Sequence, residues 1–200
     1  MSDSFSKNSA IYPQAAEIIR DGGVIAYPTE GVWGLGCDPD NAQAVSKILQ
    51  IKSRPMHKGL ILIGSELEHI SLYLKGLRDK DFDAIVQSKG KGISWLIPNN
   101  GNAEEIVSGG QATLVVRLTD HPVVTEICHA FSGAIVSTSA NPNGQPPAIS
   151  AEQVSNYFGD SLNMIVPGVL GGQNGPSEIC LLYTSPSPRD QRGSRMPSSA

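Results

Sequence analysis

Apolar positions along this chain keep two rhythms. Spacing of three and four predicts helices: Tyr12, Ala15, Ala16 and Ile19 lead to a Gly22-Gly23 stop. Val45, Ile48 and Leu49 follow Asp40, which is placed to cap a helix with Gln43 in the capping-box position. Ser65 with Glu68, and Ser150 with Gln153, repeat that start signal, and residues 122–131 carry a further helical pattern. Short continuous apolar runs predict buried strands at 24–27, 60–63, 93–97, 113–117, 134–137 and 164–166. Strands and helices alternate, though through irregular loops. The expected class is therefore α/β: a single-domain, twisted, open mixed sheet with helices packed on it.

Composition narrows the picture. Two hundred residues, 40% hydrophobic and 17% charged, suit one globular domain, assigned to residues 8–182. The last stretch, 183–200, has five Ser, three Pro and three Arg but no Leu, Ile, Val, Phe or Trp. It reads as a disordered or non-native tail. A net charge of −4 confines any nucleotide or RNA site to a local basic patch. No apolar run reaches membrane-spanning length, and Met1-Ser2-Asp3-Ser4 lacks a signal-peptide layout, so no membrane association is expected. Cys37, Cys128 and Cys180 form no CxxC, and His57, His69, His121 and His129 show no metal-binding spacing. A reducing cytoplasmic setting and no resident protein-bound metal are the expectations.

Candidate chemistry lies in two short motifs. Lys52-Ser53-Arg54, with Lys58 close behind, puts cations at the end of a helix, where Pro55 turns the chain. They form either a solvated basic face or an anion site. Ser137, Ser139 and Asn141 follow a strand and precede the turn sequence Asn141-Pro142-Asn143-Gly144. They are turn formers, ligand contacts or both, since a turn is how such side chains are presented. Cations with small hydroxyls and an amide at a strand end suit a phosphorylated ligand. Arg117 at another strand end can form a bidentate carboxylate contact or a rim salt bridge. The stretch from Gly31 to Gly36 runs GxxGxG, not GxGxxG, and no GxxxxGK[ST] occurs, which excludes Rossmann and P-loop sites. It reads as a glycine loop for tight turns, with Thr29 beside it. Cys128 and His129 are helix neighbours that point apart, so they form no nucleophile–base pair.

Taken with Tyr27-Pro28-Thr29-Glu30-Gly31-Val32-Trp33-Gly34-Leu35-Gly36, Val116-Arg117-Leu118-Thr119-Asp120-His121-Pro122 and Pro176-Ser177-Glu178-Ile179, these motifs resemble the YrdC/Sua5 family, nearest its short bacterial form. The resemblance covers about residues 18–179. It implies a sheet around a concave basic cavity and synthesis of threonylcarbamoyl-AMP from L-threonine, bicarbonate and ATP, with pyrophosphate released. Lys52 and Arg54 would be catalytic. ATP would meet Arg54, Lys58, Thr113, Ser139 and Asn141, with Mg²⁺ accompanying it. Threonine would meet Thr29, Arg117, Ser137 and Ser177. The product would serve N6-threonylcarbamoyladenosine formation in tRNA through downstream transfer proteins. Contact with tRNA or double-stranded RNA also follows, and a noncatalytic double-stranded RNA-binding or ribosome-assembly module is the alternative use of the cavity.

The chain also departs from the family pattern. Gly31 stands where many relatives have threonine. Lys89-Gly90-Lys91-Gly92 replaces a proline-rich stretch, exchanging loop stiffness for two cations. After Ile179 the family's arginine-containing end is not matched.

Overall fold

The computed structural model describes residues 10–182. The tail from Tyr183 onward, and the first two residues assigned to the domain, lie outside that range. Helix α1 (Ile11–Arg20) leads into strand β1 (Ile25–Pro28), which turns back as β2 (Trp33–Gly36). Helix α2 (Ala42–Ile51) and a 3₁₀ turn (Met56–Lys58) precede β3 (Ile61–Gly64), α3 (Leu67–Ile70) and α4 (Asp79–Gln87). Next come β4 (Ile93–Pro98), α5 (Glu105–Ser108), β5 (Thr113–Leu118), α6 (Pro122–Phe131) and β6 (Ile135–Ser139). Helix α7 (Ala151–Phe158), β7 (Met164–Ile165) and β8 (Glu178–Leu181) complete the described chain. Among the described residues no helix is long and apolar enough to cross a membrane.

The strands form one eight-stranded mixed sheet in the order β7-β1-β2-β6-β3-β5-β4-β8. Pairs β1/β7, β3/β5 and β4/β8 are parallel and the other four antiparallel, so the expected mixed α/β sheet is present. Central strands bury both faces, which is why they read as unbroken apolar runs. Leu62 of β3, Val136 of β6 and Ala26 of β1 join one core with Val45 and Ile48 of α2. Their neighbours Ile63, Ile135, Ile25 and Tyr27 point to the opposite face, into a second core with Ala15 and Ile19 of α1 and Ile127 of α6. The two-residue period of a strand thus assigns alternate side chains to two separate hydrophobic layers.

Several local expectations shift. Asn41, not Asp40, caps α2: its Oδ1 accepts from the backbone N–H of Gln43 and Ala44, both at 3.1 Å. Asp40 is occupied in a preceding turn, its N–H donating to Asp38 Oδ1 at 2.9 Å. Glu66 rather than Ser65 caps α3, and His69 completes the box where Glu68 was expected. Ser150 does cap α7, accepting from Gln153 N at 3.2 Å, while the Gln153 side chain accepts from Ile149 N. The largest correction is the glycine stretch. Trp33–Gly36 is an interior strand between β1 and β6, and glycine at 36 lets Tyr27 pack against it: a Cβ there would lie 2.7 Å from the Tyr27 ring and from Val136 O. Gly31 is the turn glycine, and a Cβ on it would lie 2.0 Å from Gly175 O. In the Lys89–Gly92 stretch, Lys89 reaches Glu66 at 3.0 Å in a surface ion pair.

Candidate active site

Helix α2 ends in a Schellman motif. Ser53 takes a left-handed conformation (φ 49°), its N–H donates to Gln50 O, and Arg54 N–H donates to Leu49 O, each at 2.9 Å. Glycine usually fills such a position, and a side chain there costs about 1–2 kcal/mol. The turn sends the two flanking cations different ways. Arg54 swings over the 3₁₀ turn, donating from Nε and Nη2 to Gly59 O (3.2 and 2.9 Å) and from Nη2 to Lys58 O (3.2 Å). Lys52 turns inward. Its ammonium donates to Ser139 O, to Asn141 O at 2.8 Å and to Asn141 Oδ1 at 3.4 Å.

The two motifs, far apart in sequence, therefore meet through Lys52, whose own carbonyl also accepts from Asn143 N at 2.9 Å. Ser139 Oγ donates to Asn141 Oδ1 at 2.6 Å, and Asn141 Nδ2 donates to Gln145 O at 2.7 Å. The strand end is thus a rigid, self-bonded turn pinned by a buried amine. Burial, then the nearby Arg54 charge, lower the Lys52 pKa to about 7. Three surrounding oxygens favour the ammonium but do not fully offset those effects.

A cavity of about 290 Å³ opens beside this junction. Thr29, Arg54, Lys58, Arg117, Ser137, Ser139 and Ser177 all line it. Lys52 and Asn141 do not. They lie behind Ser139, where the Lys52 ammonium holds the Ser139–Asn141 turn. Thr113 is also outside the lining. It shares a face of β5 with Val115 and Arg117, which do line the cavity, but sits at the strand's far end. The apolar wall was not foreseen: Trp33, Leu60, Ile61 and Val115 supply it. Their only signal was strand alternation, which cannot say which face is hollow. Ser177 is steadied by Ser94, the two hydroxyls being 2.8 Å apart.

Arg117 is buried, not at the rim. Its Nη2 is paired with Glu30 Oε2, and Thr119 Oγ1 donates to Glu30 Oε1 at 2.6 Å. Arg117 Nε has no partner among the described residues. A buried donor left unpaired costs about 1–3 kcal/mol, which an incoming acceptor recovers. Three cationic side chains, five hydroxyl-bearing residues and no lining carboxylate among the described residues make this a site for anions. No group of three His, Cys, Asp or Glu that could hold a metal occurs among the described residues either.

A family model described as "Telomere recombination", covering Sua5, YciO and YrdC, matches residues 17–189. A protein named threonylcarbamoyl-AMP synthase from Saccharophagus degradans is 47% identical over 171 residues, covering 86% of this chain and 90% of that one. Another of the same name, from Halorhodospira halophila, is 48% identical over 165 residues, with 82% and 86% covered. Among solved structures, P. abyssi Sua5 complexed with L-threonine superposes with a TM-score of 0.79 at 26% identity. That match covers 88% of this chain and 52% of the archaeal one, so the chain spans about half its length. Family model, relatives and fold agree: the chain belongs to the Sua5/YciO/YrdC family.

Proposed function

We propose that this protein is a threonylcarbamoyl-AMP synthase, joining L-threonine, bicarbonate and ATP and releasing pyrophosphate. The observation that carries the reading is the convergence of Arg54, Lys58 and Arg117 with the hydroxyls of Thr29, Ser137, Ser139 and Ser177 in one cavity. The names of relatives at 47–48% identity and the threonine complex of the archaeal structure support it. Threonine's amine adds to the carbon of bicarbonate with loss of water, giving a carbamate. A carbamate oxygen then attacks the α-phosphorus of ATP, and the bond to the β,γ-pyrophosphate breaks. The residues have no covalent role in this scheme. They hold two anionic reactants together and neutralise the charge that builds on the phosphorus oxygens.

Arg54 and Lys58 suit the phosphates, Arg117 the amino-acid carboxylate, and the serines the remaining polar groups. Lys52 acts by holding the Ser139–Asn141 turn. The described lining offers no carboxylate, so Mg²⁺ would come with the nucleotide, where it would supply charge neutralisation beside Arg54 and Lys58. On this reading the product feeds threonylcarbamoyladenosine formation in tRNA through separate transfer proteins. No specific observation favours the noncatalytic RNA-binding reading. The decisive experiment is pyrophosphate release with each substrate omitted in turn. Release that needs both threonine and bicarbonate is expected, and a folded protein releasing none overturns the assignment.

A further inference from the structure

Glu30 is a buried carboxylate paired with Arg117 just behind the lining of an anion-binding cavity, where an uncompensated negative charge would repel the ligand. Two groups spend it: Arg117 Nη2 on Oε2 and the Thr119 hydroxyl on Oε1. The Arg117 and Glu30 side chains are 8% and 5% exposed, so solvent screens the pair little. The backbone of the same turn is equally engaged. Glu30 O accepts from Gln173 N at 2.9 Å, and Thr29 O accepts from Gly171 N at 3.1 Å. Thr119 Oγ1 accepts from His121 N at 3.0 Å, and His121 Nε2 donates to Val169 O at 3.0 Å. One residue thus ties Arg117 on β5 to the 168–177 segment that brings Pro176 and Ser177 to the cavity.

A guanidinium is a planar fork, and clamping one arm sets the direction of every other donor. Here the clamped arm leaves Nε–H buried and unpartnered on a residue that lines the cavity. The clamp also cancels most of Arg117's charge, whereas no carboxylate is paired with Arg54 or Lys58 among the described ion pairs. The cavity therefore holds one uncompensated cationic zone, and one cation whose net charge is nearly spent but whose donor geometry is intact. Multiply charged phosphates follow net charge, while a single carboxylate is read by geometry.

We propose that Glu30 is a positioning residue that sorts the two anionic substrates. It aims Arg117 at the amino-acid carboxylate and removes the net charge that would draw the triphosphate there. This rests on the assignment of threonine to Arg117 made above.

The test is steady-state pyrophosphate release by the full chain bearing Glu30→Gln, Arg117→Lys, or both. Glu30→Gln should raise the threonine KM on the order of tenfold, the loss of one charge-assisted orientation, and leave the ATP KM unchanged. Excess ATP should also become a competitive inhibitor against threonine, which a merely structural defect would not produce. Because Glu30 acts through Arg117, the double variant should match Arg117→Lys alone. Additive effects, or a threonine KM untouched by Glu30→Gln while Arg117→Lys raises it, overturn the role of Glu30 and spare the assignment of Arg117. If neither substitution moves the threonine KM, both fall. Should Glu30→Gln fail to fold, Thr119→Val removes the other contact to Glu30. A smaller rise in threonine KM supports the proposal, and no rise overturns it.

Discussion

Arg54 and Lys52 are two residues apart, yet their surroundings give them different tasks. Arg54 stays at the cavity with part of its fork on backbone carbonyls. Arg54→Ala should cost about 1.5–3 kcal/mol of ATP-dependent transition-state stabilisation, the value of hydrogen bonds to a charged group. It should also lower the melting temperature slightly, because the Gly59 and Lys58 carbonyls lose their donors. Turnover per folded molecule, compared with wild type, checks this, and undiminished turnover contradicts it. Lys52 carries a pH signature instead. Its folded pKa of about 7 lies below the ordinary 10.5. Below about 7 both folded and unfolded chains hold the proton. Between there and 10.5 only the unfolded chain does, so folding releases a proton and stability rises with pH. Melting curves of wild type and Lys52→Met from pH 6 to 10 should show the wild type gaining relative to the variant as pH rises. A constant gap would mean that burial does not depress this amine.

At the scale of elements, the caps and turns determine where cavity residues arrive. Asn41 starts α2, and Asn41→Ala removes the acceptor for two backbone donors. A stability loss of about 0.5–2 kcal/mol is expected, against little effect from Asp40→Ala. Chemical denaturation of both variants separates the true cap from its neighbour. The β1–β2 turn makes a sharper prediction. Gly31 leaves room for Gly175 O, and a methyl group would overlap it at 2.0 Å. Gly31→Ala must push the 168–177 segment outward, and Ser177 with it. Threonine-dependent turnover should fall by about tenfold or more, as misplacement of substrate-positioning groups does. Near-normal turnover would show that Ser177 is not needed close to β2.

For the whole molecule, the cavity combines an apolar wall with convergent hydroxyls. Such a site rejects an isostere lacking its hydroxyl through polar groups left unpaired, whereas one missing methyl is worth only about 1–3 kcal/mol. Threonine should therefore be favoured modestly over serine and more strongly over valine in pyrophosphate release. Equal rates with threonine and valine would contradict a hydroxyl-reading pocket.

Much of this architecture follows from local sequence. Strand runs such as Leu60 to Ile63 are apolar throughout because both faces of the central sheet are covered, and Pro122 to Phe131 marks its helix at both ends. The two polar motifs are equally plain, because cations at a helix end and hydroxyls at a strand end need only neighbouring residues to be recognised. Local pattern misled where the packing was distant. Glycines 34 and 36 resemble a loop until Tyr27 is laid beside them, and Asp40 resembles a cap until Asp38 claims its N–H. Only the tertiary structure placed Lys52 behind Ser139, buried Arg117 against Glu30, and left Thr113 outside the cavity. Each of these depends on contacts between strands and turns distant in sequence. Hydrophobic periodicity shows that a residue is buried or presented, but the order of strands in the sheet decides beside what.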